Sequence, residues 1–190
     1  DTFLPGGNLY LKELAVPMKK RLWIDFALVL VLVALDRITK VIAERTLADG
    51  SVALIPGVFR FYLLEGGNTG AAYGMLKGGF WFFVIITMLI VVVIIHVLRK
   101  LPEERRFMPL NYTLVLLISG AFGNFYDRVA TKILTGRSSV TDFLYFELID
   151  FPVFNVADIY VTCSTFMLII LGLFYYKDDD LEFISLKKDK

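Results

Sequence analysis

The sequence predicts an all-α polytopic membrane protein with four transmembrane helices and a small extracytoplasmic β-sheet. Three observations lead there. Of the 190 residues, 57% are hydrophobic, above the roughly 45–50% of soluble domains, and the mean hydropathy is +0.66. Four stretches, Leu22 to Ile38, Phe80 to Leu98, Met108 to Phe125 and Val156 to Tyr176, match or approach the about 20 apolar residues of a spanning helix. The formal net charge of +1 hides an uneven distribution, because Lys and Arg gather in alternate connections. Residues 18–176 therefore read as one four-helix membrane domain, with little room for a separate soluble one.

Taken in order, residues 1–17, with Pro5-Gly6-Gly7, are expected to be a leader, since Met18-Lys19-Lys20 has the form of a bacterial start. The first span follows Lys12, Lys19, Lys20 and Arg21. Its apolar core exceeds the about 7–15 residues of a cleaved signal peptide, so a retained helix is expected. In the connection 39–79, Ser51 to Ile55 and Val58 to Leu64 flank Pro56-Gly57; branched and aromatic runs split by such a punctuator predict two short strands. Arg99, Lys100, Arg105 and Arg106 separate the second and third spans, and residues 177–190, with Lys177, Lys187, Lys188 and Lys190, form a charged tail. Basic connections stay in the cytoplasm. Both termini are thus expected inside, with 39–79 and 126–155 facing out.

Several single residues need no function. The one cysteine, Cys163, excludes an internal disulfide and is expected to be a small buried apolar residue. His96, the only histidine, is expected at the cytoplasmic interface beside Arg99 and Lys100, with no metal role. Asp25 reads as a solvated interfacial residue.

The chemistry concentrates elsewhere. Asp142, in Val140-Thr141-Asp142-Phe143, and Asp158, in Phe154-Asn155-Val156-Ala157-Asp158, stand where the last apolar run begins. A carboxylate near lipid costs several kcal/mol unless it is paired, hydrated or working. Two at one helix mouth suggest a pair that shares a proton and activates water, the chemistry of an aspartic protease. Asn68 is the strong hydrogen-bonding side chain of the small-residue run Glu65 to Gly74. Gly120 and Gly123 share a helix face that allows close packing, as do Asn124 and Asp127, with Arg128 able to pair with a carboxylate. Asp36 and Lys40, four apart at the outer end of the first span, suit an intrahelical pair. From the residues alone, a small transporter or channel using interfacial acids and a noncatalytic assembly factor stay open beside the protease.

Asp36-Arg-Ile-Thr-Lys40, Asn68-Thr-Gly70-Ala-Ala72, Gly123-Asn124-Phe-Tyr-Asp127-Arg128, Val140-Thr-Asp142-Phe143 and Phe154-Asn155-Val-Ala-Asp158 together resemble the bacterial lipoprotein signal peptidases, or signal peptidase II family. The resemblance implies a multi-pass inner-membrane aspartic endopeptidase with its active site at the outer face. Asp142 and Asp158 would be catalytic; Asn68, Gly70, Asn124, Arg128 and Asn155 would bind substrate; Asp36, Lys40 and Asp127 would form a supporting layer. It also implies a diacylglyceryl prolipoprotein substrate cut before the lipidated cysteine, membrane lipid as surroundings, no metal or other cofactor, no nucleic acid, and a monomer. Two departures stand out. Arg37 replaces the family's usual Gln, a change expected to alter surface charge, and the Ala130 to Ser139 stretch is long for the family. A lid over the dyad is expected from Ser51 to Tyr73, because an interfacial dyad must exclude bulk water yet admit a lipidated chain.

Overall fold

The computed structural model describes residues 17–48, 50–70 and 79–184, and among these four α-helices and three strands, together with short 3-10 turns, build the fold. Helix α1 is Met18–Thr46, α2 is Phe80–Lys100, α3 is Met108–Thr135, and α4 is Val156–Ile170, continued by a wider π turn over Leu171–Tyr175. The leader expectation for residues 1–16, the part of the lid expectation at 71–73 and the tail beyond 184 lie outside the described residues.

Helices α1 and α3 run well past their apolar stretches. At about 1.5 Å per residue, the 29 residues of α1 span about 43 Å, against about 30 Å of bilayer hydrocarbon. No Pro or Gly interrupts Asp36 to Thr46, and Asp36 and Lys40 there are buried against other helices, so the helix continues where the hydropathy falls. The apolar run marks lipid contact; the helix outlasts it. The long-loop reading of Ala130 to Ser139 is corrected too, since no Pro or Gly stands between Ala130 and Gly136 to break the helix. Helix α3 persists to Thr135 and ends on Gly136 at φ 73°, whose N–H donates to the Lys132 carbonyl at 3.1 Å, a left-handed cap that glycine adopts without strain.

The core lies between α2 and α3, where Val91, Ile94 and Leu98 meet Leu110, Leu114 and Ile118 at the three- and four-residue spacing of a helix face. Helix α3 is central, touching α1, α2 and α4. Two segments, Phe80–Lys100 and Val156–Tyr175, are apolar and long enough to cross a membrane by themselves; α1 and α3 owe their lower hydropathy to the polar side chains they bury. Outer faces are apolar too: Trp81, Phe82, Ile85, Leu89 and Val92 of α2 are exposed, as lipid-facing residues are.

Two expectations fail at single residues. Cys163 is exposed, on the outer face of α4. Asp25 is buried, 4% exposed, and accepts from Asn111 Nδ2 at 2.7 Å. The cause is Arg21, whose guanidinium folds over the end of α2 and donates to the carbonyls of Leu98, Leu101 and Pro102, closing water away from Asp25.

The sheet is antiparallel in the order β1-β2-β3, with β1 Ser51–Ile55, β2 Phe59–Tyr62 and β3 Leu144–Phe146. Sequence pattern identifies the first two strands. The third is only three residues long, too short for a period-2 signal, and exists because Phe59 and Phe61 pair with Phe146 and Leu144.

Candidate active site

Three elements converge at the sheet end of the bundle. Thr131 anchors the chain as it leaves α3, accepting from the Ser139 N–H at 2.9 Å. Val140 then pairs with Asn68 through reciprocal backbone bonds of 2.8 and 3.0 Å. Asp142 follows, its carbonyl accepting from the Leu64 N–H at 3.0 Å, and Phe143 and Leu144 both donate to the Phe154 carbonyl, at 3.0 and 2.8 Å. The polypeptide is therefore folded back so that Asp142 faces the start of α4. That start is a capping box: Asn155 Oδ1 accepts from the Asp158 N–H, and Asp158 Oδ2 accepts from the Asn155 N–H, both at 3.0 Å. The Asn-x-Ala-Asp pattern is thus also a local helix-start device.

The two aspartates are joined through Asn155. Its Nδ2 donates to Asp142 Oδ1 at 2.6 Å, while its backbone N–H holds Asp158. Asp142 Oδ2 accepts from Asn68 Nδ2 at 2.8 Å, and Asp158 Oδ1 accepts from Asn124 Nδ2 at 2.8 Å. Each carboxylate thereby has two donors. Asp142 is 1% exposed, and burial pushes its carboxyl up to about 6, with the Asp158 charge adding to the rise; the Asn68 and Asn155 donors and the Lys40 charge act the other way. Burial wins because a charge loses more by leaving water than two amide donors return.

Beneath this pair lies a buried ionic layer. Lys40 Nζ donates to Asp36 Oδ2 and contacts Asp127 Oδ2, both at 2.8 Å, and reaches Asn124 Oδ1 at 3.2 Å. All three charged side chains are essentially inaccessible. The Asp36–Lys40 pair expected on the outer surface is instead a joint between α1, α3 and α4, since Asp36 Oδ1 also accepts from the Ala157 N–H at 2.9 Å. Glycine makes this approach possible: a Cβ on Gly123 would sit 2.6 Å from Asp36 Oδ2, and one on Gly120 would sit 2.5 Å from the Ala157 carbonyl oxygen. Arg37 does more than alter surface charge, because its guanidinium lies 3.4 Å from Asp127 Oδ1 and 3.3 Å from Glu44 Oε2.

Arg128 departs from the ion pair suggested by its sequence. No described carboxylate lies within ion-pairing distance of it. Its guanidinium stacks over the Phe83 ring at 4.0 Å from the centroid, and among the described residues its buried Nη1 has no hydrogen-bond partner. Gly70, at φ 76°, donates its N–H to Asn68 Oδ1 at 2.8 Å. Every candidate residue named from the sequence, supporting layer included, is thus found in this one cluster. Phe83 was not among them, because within Phe80-Trp81-Phe82-Phe83 it reads as one more interfacial aromatic. Among the described residues, no group of His, Cys, Asp and Glu side chains is arranged to hold a metal ion.

Comparison with known proteins finds one family. The family model described as Signal peptidase (SPase) II matches residues 28–174. A lipoprotein signal peptidase of Symbiobacterium thermophilum is 42% identical over 150 residues, covering 77% of this chain and 92% of that protein. One from Streptococcus pyogenes serotype M5 is 37% identical over 164 residues, covering 86% and 98%. Among solved structures, a bacterial membrane enzyme determined by the in meso method at 1.9 Å resolution superposes with a TM-score of 0.67 at 31% identity, covering 80% of this chain and 94% of that one. A second, at 2.3 Å resolution, gives 0.66 at 29% identity, covering 88% and 94%.

Proposed function

The chain belongs to the signal peptidase II family, the lipoprotein signal peptidases that remove signal peptides from prolipoproteins, and from that premise we propose that it cleaves as an aspartic endopeptidase with Asp142 and Asp158 as its catalytic pair. The observation that supports this most is the Asn155 bridge, which ties both carboxylates into one hydrogen-bonded unit at one end of the bundle. Like charges so placed share a proton, and the titration belongs to the pair. Asp142, the drier of the two, holds the proton and polarises the scissile carbonyl. Asp158 stands at the positive end of α4 and takes a proton from water as the water attacks. Asp158 then passes the proton taken from water to the departing amine as the C–N bond breaks, and Asp142 keeps its own proton as the carbonyl re-forms. Asn68, Asn155 and Asn124 keep the two carboxylates oriented, and Gly70 and Arg128 face the substrate.

The substrate in this reading is a prolipoprotein whose cysteine bears diacylglycerol, cut just before that cysteine. Two acyl chains, at about 0.8 kcal/mol per buried methylene, hold the scissile bond at the depth of the pair, so the anchor supplies most of the specificity. The basic connections support cytoplasmic termini and a catalytic end at the outer face of a bacterial inner membrane. The transporter alternative is not favoured by the family match. The test is cleavage of matched diacylglyceryl and unacylated prolipoprotein peptides by the purified protein with a chelator present. Rapid cleavage of the acylated peptide alone is expected; equal rates on both, or loss of activity with the chelator, would overturn the substrate or the mechanism.

A further inference from the structure

Phe83 lies in the first turn of α2, in a run whose neighbours Trp81 and Phe82 are exposed. Its own ring turns inward instead and lies under the Arg128 guanidinium, 4.0 Å from centroid to Cζ. This is close for a cation over an aromatic face. Arg128 sits in the field of Asp142, Asp158 and Asp127, and a free guanidinium there would collapse onto a carboxylate as a bidentate ion pair. It does not: among the described residues none pairs with it, and Nη1 is left buried with its donors unused. A buried donor without a partner is costly, so its orientation needs something to hold it.

We propose that Phe83 is a positioning residue for the cleavage reaction: its ring holds Arg128 off the catalytic carboxylates, so that Nη1 is kept free to donate to a carbonyl oxygen of the substrate. Gly70 is the third part of the device. A Cβ at position 70 would lie 2.4 Å from the Phe83 ring and 3.5 Å from Arg128 Nη1, so only glycine leaves the ring its place. The same Gly70 N–H fixes Asn68, which holds Asp142; one short segment thus sets both the acid and the donor. The acceptor is a neutral carbonyl rather than a phosphate, because the ionised carboxylate of the pair and the buried Asp127 already supply negative charge nearby. It belongs to the substrate peptide or to a glyceryl ester.

The proposal rests on the function proposed above, and its test reads a different quantity. Steady-state cleavage of a diacylglyceryl peptide is measured for wild type, Phe83→Leu, Phe83→Trp, Gly70→Ala, Arg128→Gln and the Phe83→Leu/Arg128→Gln pair. Loss of the ring should raise KM about fivefold or more and lower kcat as well, because the freed guanidinium pairs with a catalytic carboxylate. Phe83→Trp should retain the wild-type KM, and Gly70→Ala, which displaces the ring without removing it, should resemble Phe83→Leu. The decisive comparison is the pair: a double variant no worse than Arg128→Gln alone shows that Phe83 acts through Arg128. Penalties that multiply, or an unchanged KM in both Phe83→Leu and Gly70→Ala, would overturn the proposal. Repeating the cycle with an ether-linked lipid names the acceptor: persistent coupling assigns it to the peptide, and lost coupling assigns it to the ester. The catalytic pair is judged separately, by turnover of the aspartate variants, so either reading can fail without the other.

Discussion

Asp142 is held in its buried position at a cost to the fold. Its folded-state value of about 6 lies above the 3.8 of an ordinary aspartate, so the folded protein binds more protons than the unfolded chain between those values. Stability contributed by the protonated form is present at the acid end of that window and is lost as pH rises through it. At 1.36 kcal/mol per unit, the loss is about 3 kcal/mol. Asp142→Asn has no proton to release and avoids it. Thermal or denaturant unfolding in detergent should therefore show the variant gaining on wild type by up to about 3 kcal/mol between about pH 4 and about pH 7; a constant gap would mean that Asp142 is not desolvated. The Asn68 donor favours the ionised form, so Asn68→Ala should move the alkaline limb of kcat/KM upward.

Between elements, the ionic layer is where sequence and structure diverge most instructively. Asp36, Lys40 and Asp127 look like surface residues when each helix is taken alone, because an apolar run has just ended. They are buried since α1 and α3 continue in parallel beyond the run, with Gly120 and Gly123 letting α4 close against them. Removing one partner of such a cluster leaves uncompensated buried charge, typically about 3–5 kcal/mol. Lys40→Met should lower unfolding stability by that order, and adding Asp36→Asn and Asp127→Asn should restore part of it; a Lys40→Met variant as stable as wild type would show that the layer is hydrated. The helices themselves were legible from hydropathy, and strands β1 and β2 from their branched and aromatic residues. Strand β3, the buried Asp25 and the exposed Cys163 were not, since each depends on what packs beside it: Phe59 and Phe61 for β3, Arg21 and Asn111 for Asp25, and, for Cys163, an outer face that no described element covers.

At the scale of the whole molecule, the bundle divides its work by depth. Exposed apolar side chains such as Trp81, Leu89 and Phe166 form a lipid-facing girdle, and the polar interior is gathered at the sheet end, where Asn155 links Asp142 to Asp158. That division explains why the motifs were readable in order along the chain while the distances between them were not: each motif lies at the end of a different element, and only the closed bundle brings the ends together. The most direct test of the account is single-turnover cleavage of a diacylglyceryl prolipoprotein peptide by purified wild type, Asp142→Asn and Asp158→Asn, with substrate binding measured on the same samples. Each variant should bind substrate within a few-fold of wild type and cleave it at least about a thousandfold more slowly. Near wild-type cleavage by either variant would contradict the assignment of Asp142 and Asp158 as the catalytic pair.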